Sequence, residues 1–316
     1  MESFGLTTAA AQVYGSFATI VATMLGVAGL CLAVTRRISK ADLSGVFKTW
    51  QSWLVMAPLP FITILLGREV FIVAIALISV AAFREFAKAT GLIEDKLTTW
   101  LVQIAIGATS LMALVSDPRL ATDGWYGMFI AMPVYVVTAL AIIPVFRNQA
   151  QGQLHNVSLA VLGYLFFGWL IGHLGFLANA EHAVGYVLYL LLAVGVADIS
   201  AFICGKAIGR RKLCSNVSPN KTIGGSLGSL VVSMTLPWLF SFALPGLTAC
   251  QLLLVGLVIG VGAQLGDLTL SYIKRDIGIK DMGQLIPGHG GLLDRVDSLI
   301  FTAPLFFHII RWFSGV

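Results

Sequence analysis

The recurrence of apolar runs about as long as a bilayer is thick limits the fold of this chain more than any other feature. A helix needs roughly 20 mostly apolar residues to cross the hydrocarbon core. Such runs lie near 14–34, 99–115, 124–146, 157–178, 184–204, 223–244, 249–270 and 298–315. With 58% hydrophobic and only 11% charged residues among 316, there is too little polar surface to cover a soluble globule of this size. The reading is an all-α polytopic integral membrane protein.

The run 54–83 is interrupted at Gly67-Arg68-Glu69, which is costly at mid-bilayer in a single long helix. Two short helices with a tight turn give about ten transmembrane helices; a single span gives nine. Positive charge arbitrates between them. Loop 35–53 carries Arg36, Arg37, Lys40 and Lys48; 84–98 carries Arg84, Lys88 and Lys96; 147–156 carries Arg147; 205–222 carries Lys206, Arg210, Arg211, Lys212 and Lys221. Ten spans put all of these on one side together with 271–297, and leave 116–123, 179–183 and 245–248 almost free of Lys and Arg. The positive-inside rule makes the basic side cytoplasmic and both termini external. Trp50, Trp53, Trp100 and Trp125 fall at span borders, where amphipathic rings anchor. The start MESFG lacks the basic residues of a cleaved signal, so the first apolar run is expected to stay as an anchor.

The net charge of +5 does not point to nucleic acid, because Lys and Arg sit in short loops rather than on one amphipathic face. Cys31, Cys204, Cys214 and Cys250 form no C-x-x-C pair, which argues against a zinc knuckle or disulfide framework. No internal repeat or long linker is visible. The chain divides into N-terminal membrane helices (1–98), middle helices (99–183) and a C-terminal membrane region (184–316) that carries the charged stretch 271–297 and is expected to hold any catalytic site.

Chemistry concentrates in 271–297, SYIKRDIGIKDMGQLIPGHGGLLDRVD. Lys274, Arg275, Lys280 and Arg295 face Asp276, Asp281, Asp294 and Asp297, with His289 among glycines. Carboxylates suit Mg²⁺; Lys, Arg and unhindered glycine N–H groups suit phosphate oxygens. At the end of the span 249–270, Gln264, Asp267, Ser271 and Lys274 follow at steps of three, four and three, one polar stripe on one helix face. Asp267 is a functional candidate by its depth, or else the partner of a neighbouring arginine. Asp294 and Asp297 stand at the start of the last span, where N-capping and a metal role are compatible. A second element runs Asp198-Ile-Ser200-Ala-Phe, Gly205-Lys206, Gly209-Arg210 and Ser218-Pro219-Asn220-Lys221-Thr222. Arg211 and Lys212 read as a flank touching anionic headgroups, Lys221 as a phosphate contact. His173 reads as a packed histidine, and Glu181 and His182 as parts of an outer turn. Lys221-Thr222 lacks the glycines of a Walker A loop, and Leu293 stands where a dinucleotide fingerprint needs glycine.

Ser271-x-x-Lys274-Arg275, Lys280-Asp281-x-Gly283 and Pro287-x-His289-Gly290-Gly291-x-x-Asp294-Arg295-x-Asp297 resemble the signature of the phosphatidate cytidylyltransferases, the CDP-diacylglycerol synthases. The likeness is tight over the last third and rests on the helix pattern alone over the first 150 or so residues. It implies transfer of CMP from CTP to phosphatidic acid at the cytoplasmic face of a bacterial inner membrane, giving CDP-diacylglycerol and pyrophosphate for phospholipid biosynthesis. It also implies a homodimer and a catalytic cation on the Asp of Gly266-Asp267. One or two divalent cations, Mg²⁺ with a monovalent ion as a further occupant, are then expected on Asp267 and Asp294, with Asp281, Asp297 and Asp198 as further ligands. Lys221, Lys274, Arg275 and Arg295 would steady the phosphates, beside Ser218 and Ser271. His289 either donates to a phosphate oxygen or holds its loop. One departure stands out: the family's S-P-x-K-T-x-E-G has Gly224 in the Glu position. A related lipid-phosphate cytidylyltransferase therefore stays open, as do a CTP-dependent lipid kinase and a cation-coupled transporter.

Overall fold

The computed structural model describes residues 7–38, 44–115, 124–283 and 291–314. Among them nine helices are long and apolar enough to cross a membrane, and Ile223–Leu239 is a shorter apolar helix beside them. The protein is a helical membrane protein. His289, with Pro287 and Gly290, lies outside the described residues.

The chain begins with α1 (Thr8–Ile38), then α2 (Ser44–Met56) and α3 (Pro58–Leu66), which run together as one apolar crossing over 44–66. The break expected inside 54–83 is at Gly67, whose φ of 118° and ψ of 167° belong to a region that essentially only glycine enters. After it comes α4 (Arg68–Ala89). The boundaries differ from the expectation: the two arms are 44–66 and 68–89, each long enough to cross, because the polar stretch before Leu54 is helical and α4 runs past Phe83. Arg68 is buried at this turn. Its Nε donates to Asn179 Oδ1 at 2.6 Å and its Nη2 to the Ala113 carbonyl at 2.8 Å, so the cation ties the turn to the ends of two other helices.

Next come α5 (Lys96–Leu114) and α6 (Tyr126–Phe146). Asp95 caps α5, accepting the Thr98 N–H at 3.3 Å and hydroxyl at 2.7 Å, and takes a bidentate pair from Arg147 at the end of α6, 2.9 and 2.8 Å. Burial works against its charge, but these donors prevail and hold the Asp95 carboxyl below the usual range. A further crossing is built from α7 (Gln153–Gly163), a widened turn over Tyr164–Leu170 and α8 (Gly172–Phe176). His173 is buried in α8, its Nδ1 2.9 Å from the Trp169 carbonyl and its Nε2 3.1 Å from His308.

The last third packs most closely. α9 (Ala183–Ile208) leads into an antiparallel hairpin, β1 (Lys212–Cys214) and β2 (Ser218–Thr222), with Lys212 opposite Thr222 and Cys214 opposite Ser218. The Ser-Pro-x-Lys-Thr stretch, expected as a loop, is therefore a strand. Thr222 accepts the Gly225 N–H at 3.1 Å and so caps α10 (Ile223–Leu239). Thr248 and Gln251 form a capping box that starts α11 (Ala249–Asp276), and α12 (Leu293–Val296) and α13 (Leu299–Phe313) finish the bundle. Glycines spaced along α11 let backbones meet. A Cβ at Gly256 would stand 2.4 Å from the Ser233 carbonyl oxygen on α10, and one at Gly266 2.3 Å from the Asp297 carbonyl oxygen before α13. Small residues are what membrane helices use for such approach.

Candidate active site

At 28 residues α11 is about 42 Å long, well beyond a hydrocarbon core of ~30 Å, so it is longer than a crossing needs. The stripe expected on this helix exists, and three of its members, Gln264, Asp267 and Lys274, each grip a different element, while Ser271 bonds Asp267 within the helix. Gln264 Nε2 donates to the Ser226 carbonyl of α10 at 3.1 Å, and the Ser226 hydroxyl donates back to Gln264 Oε1. One turn on, Asp267 Oδ2 is 2.6 Å from Lys221 Nζ of the hairpin, while its Oδ1 accepts the Ser271 hydroxyl at 3.2 Å. Lys274 Nζ then donates to Asp294 Oδ1 at 2.8 Å. The helix is a spine along which acid and base alternate.

Close backbone contact sets Lys221. A Cβ at Gly225 would stand 2.5 Å from the Ala201 carbonyl oxygen and one at Gly209 2.3 Å from Thr222 Oγ1, so strand β2 and the start of α10 lie directly on the end of α9. Gly224 belongs to the same contact: its missing Cβ would be 3.1 Å from the Ile208 carbonyl oxygen. The departure from the family pattern thus coincides with a tight helix crossing.

Two more carboxylates meet at Ser298, whose hydroxyl is 3.3 Å from Asp198 Oδ2 and 3.4 Å from Asp297 Oδ1; Asp297 also accepts the Ser298 N–H at 2.7 Å. Asp267 is the strongest like-charge neighbour of both Asp198 and Asp297, opposed at Asp198 by Lys221 and Arg295 and at Asp297 by Lys274. Three acids thus lie within one another's field, beside two lysines.

Asp294 is engaged differently from the other acids. Beyond Lys274, its Oδ2 accepts the N–H of Gly291 at 3.0 Å and of Met282 at 3.3 Å, so both oxygens are occupied by protein donors. Although three residues from Asp297, it serves Lys274 rather than the Asp198 and Asp297 pair. Arg275 is exposed and donates forward to the Ile279 carbonyl at 3.5 Å, Arg295 is half-buried on α12, and Ser218 opens β2. Asp281 is exposed and makes no hydrogen bond or ion pair with another described residue.

Three residues went unnoticed in the sequence. Ser226 and Ser298 sit in apolar runs, where a hydroxyl carries no signal of its own, although Ser298 directly follows Asp297. Glu85, buried in α4, accepts the N–H groups of Leu292 and Leu293 at 3.1 and 2.8 Å. Its neighbours Arg84 and Lys88 make it look like part of a charged loop.

Comparison with known proteins places the chain among relatives. The model of the cytidylyltransferase family matches residues 47–313. A phosphatidate cytidylyltransferase of Synechocystis is 34% identical over 286 residues, 80% of this chain and 92% of that protein. One from Staphylococcus haemolyticus is 43% identical over 136 residues, 43% of this chain and 52% of its own length. The Escherichia coli protein YnbB is 40% identical over 190 residues, 58% of this chain and 63% of its own. The chain thus spans about half to two thirds of two of these relatives and nearly all of the third. A match running from α2 to the end of α13 takes in every element that holds the acids and lysines together, and on that ground this chain belongs to the cytidylyltransferase family.

Proposed function

We propose that this protein transfers CMP from CTP to phosphatidic acid, giving CDP-diacylglycerol and pyrophosphate. The observation that carries the reading is the ladder on α11, in which Lys221 and Lys274 are held 2.6 and 2.8 Å from Asp267 and Asp294 beside Asp198 and Asp297. Both reactants are polyanions, so the principal barrier to their meeting is charge. A lipid phosphate oxygen attacks the α-phosphorus in line, a P–O bond forms, and the bond to the β-phosphate oxygen breaks with pyrophosphate leaving. No protein nucleophile is needed. Lys221 and Lys274 are placed to receive phosphate oxygens in exchange for their carboxylates.

The donor set at Asp198, Asp267, Asp297 and Ser298 is all oxygen and fits Mg²⁺. Among the described residues no three acidic or imidazole groups form a finished cage. Mg²⁺ commonly takes one or two carboxylates and completes its shell with substrate phosphates and water, so the reading needs no such cage. When bound, such a cation supplies neutralisation of the phosphate charge. Asp294 does other work, aiming Lys274.

The same proposal places the chain in a bacterial inner membrane with 205–222 and 271–297 toward the cytoplasm, supported by the basic-residue asymmetry, and as a homodimer, supported by the family likeness alone. A single cysteine at Ser215 in a cysteine-free chain should resist an impermeant thiol reagent until cells are permeabilised. The activity is tested by incubating purified protein with CTP, Mg²⁺ and phosphatidic acid. Pyrophosphate and CDP-diacylglycerol are expected; release of CDP would instead assign lipid kinase chemistry, and no turnover would remove both.

A further inference from the structure

We propose that Glu85, far from the signature in sequence, is a positioning residue for the reaction: it clamps the segment that presents Asp294, Arg295 and Asp297. Glu85 lies near the end of α4 and is only 4% exposed. A buried carboxylate is costly unless donors satisfy it. Here each oxygen takes one backbone N–H, Oε1 that of Leu292 at 3.1 Å and Oε2 that of Leu293 at 2.8 Å. The chain passes so close that a Cβ at Gly283 would stand 2.4 Å from Oε1 and one at Gly291 2.5 Å from Oε2.

Asp294 grips the same stretch from within, through the N–H groups of Gly291 and Met282. Between them the two acids take three successive N–H groups, those of Gly291, Leu292 and Leu293, and that of Met282 upstream, which fixes where the turn into α12 begins. Asp294 in turn holds Lys274. Releasing Glu85 therefore loosens the aim of Lys274 without touching any group that meets substrate. The glycines at 283 and 291 are then requirements of the carboxylate beneath them, which gives them a role besides phosphate binding.

This inference rests on the cytidylyl transfer proposed above, and the test separates the two. In full-length protein in lipid nanodiscs, Glu85→Gln keeps the side-chain length but turns an amide donor toward one of the two N–H groups. Hydrogen exchange at the amides of 291–294 should speed up on the order of tenfold or more, with the melting midpoint within a few degrees of wild type. kcat should fall about tenfold while KM for phosphatidic acid stays unchanged. Glu85→Asp, charged but one methylene short, should lie between the two. Gly291→Ala should reproduce Glu85→Gln, and the double variant should be no worse than either single one, since both break one contact. Unchanged exchange in Glu85→Gln overturns the clamp. Faster exchange with unchanged kcat overturns its part in the reaction. Wild-type protein that releases no pyrophosphate overturns the transfer reading, and the exchange data tell that failure apart from a failed clamp.

Discussion

The helices α1 to α3 and the group α9, α10, α11 and α13 are made of similar apolar residues and are held in opposite ways. In α1 only Phe17 is buried, stacked on Phe240 at 5.4 Å, and a Cβ at Gly15 or Gly26 would meet nothing within 4 Å. In the last third Gly256, Gly262 and Gly266 of α11 face backbone atoms of their neighbours, and Gly260 faces the side chains of Leu230 and Ser233. In the first group only Gly29 is met closely, by the Trp50 ring, whereas in the second the neighbouring helices lie directly against the glycines. Apolar sequence by itself does not build a site; the glycines decide which apolar helices come close enough to bring Asp198, Asp267 and Asp297 into one another's field.

The comparison is sharpest at its chemical centre. Asp267→Asn keeps the shape and removes the charge shared by Lys221 and the neighbouring acids, so kcat should fall 10²-fold or more with the fold retained. Near-normal turnover at saturating Mg²⁺ would take Asp267 out of the reaction. Next in size, Gly266→Ala drives a methyl against the Asp297 carbonyl and should cost about 1–3 kcal/mol, while Gly26→Ala should stay within about 0.5 kcal/mol. Thermal unfolding in detergent compares them, and equal shifts would dissolve the distinction between the two regions.

A smaller effect is expected at Gly224, where the added Cβ meets the Ile208 carbonyl oxygen at 3.1 Å, tight enough to require a slight shift at the end of α9. Gly224→Glu should lower the Mg²⁺ concentration for half-maximal rate if a carboxylate there joins the cation site; a raised or unchanged midpoint would leave the glycine as a packing residue alone. The smallest effect belongs to α5 and α6, joined by Asp95 and Arg147 rather than by glycines. The Asp95 carboxyl is held below its usual range in the folded chain, so its contribution is present at neutral pH and fades as pH falls below about 4, through the lowered value. Asp95→Asn should melt slightly earlier than wild type at pH 7, by about 1 kcal/mol or less, and the gap should narrow steadily as pH falls through the lowered value. A gap that persists in acid would mean the ion pair is not its source.

What could be read from the sequence follows from the same physics. Apolar length marked the spans and the Gly67 break, because both follow from local rules about hydrocarbon and backbone. The spacing of Gln264, Asp267, Ser271 and Lys274 placed them on one face, since helix geometry requires it. Which partners they meet was not legible: Asp294 turning to Lys274 and Glu85 reaching Leu293 are contacts over 20 and 208 residues. Nor was the hairpin, for five residues containing Pro219 carry little strand signal beside so much helix.

The brevity of α10 has a consequence for the lipid around it. Its 17 residues reach about 26 Å, a few ångströms short of an ordinary hydrocarbon layer. A helix too short for its bilayer draws the surface down toward itself, and here the end so approached begins beside Lys221. Headgroups nearest the protein would then lie deeper than elsewhere, letting a phosphate meet the lysine while its acyl chains stay in oil. Turnover measured in vesicles of increasing chain length should decline as the layer thickens; a flat response would mean the protein lifts its lipid substrate by other means.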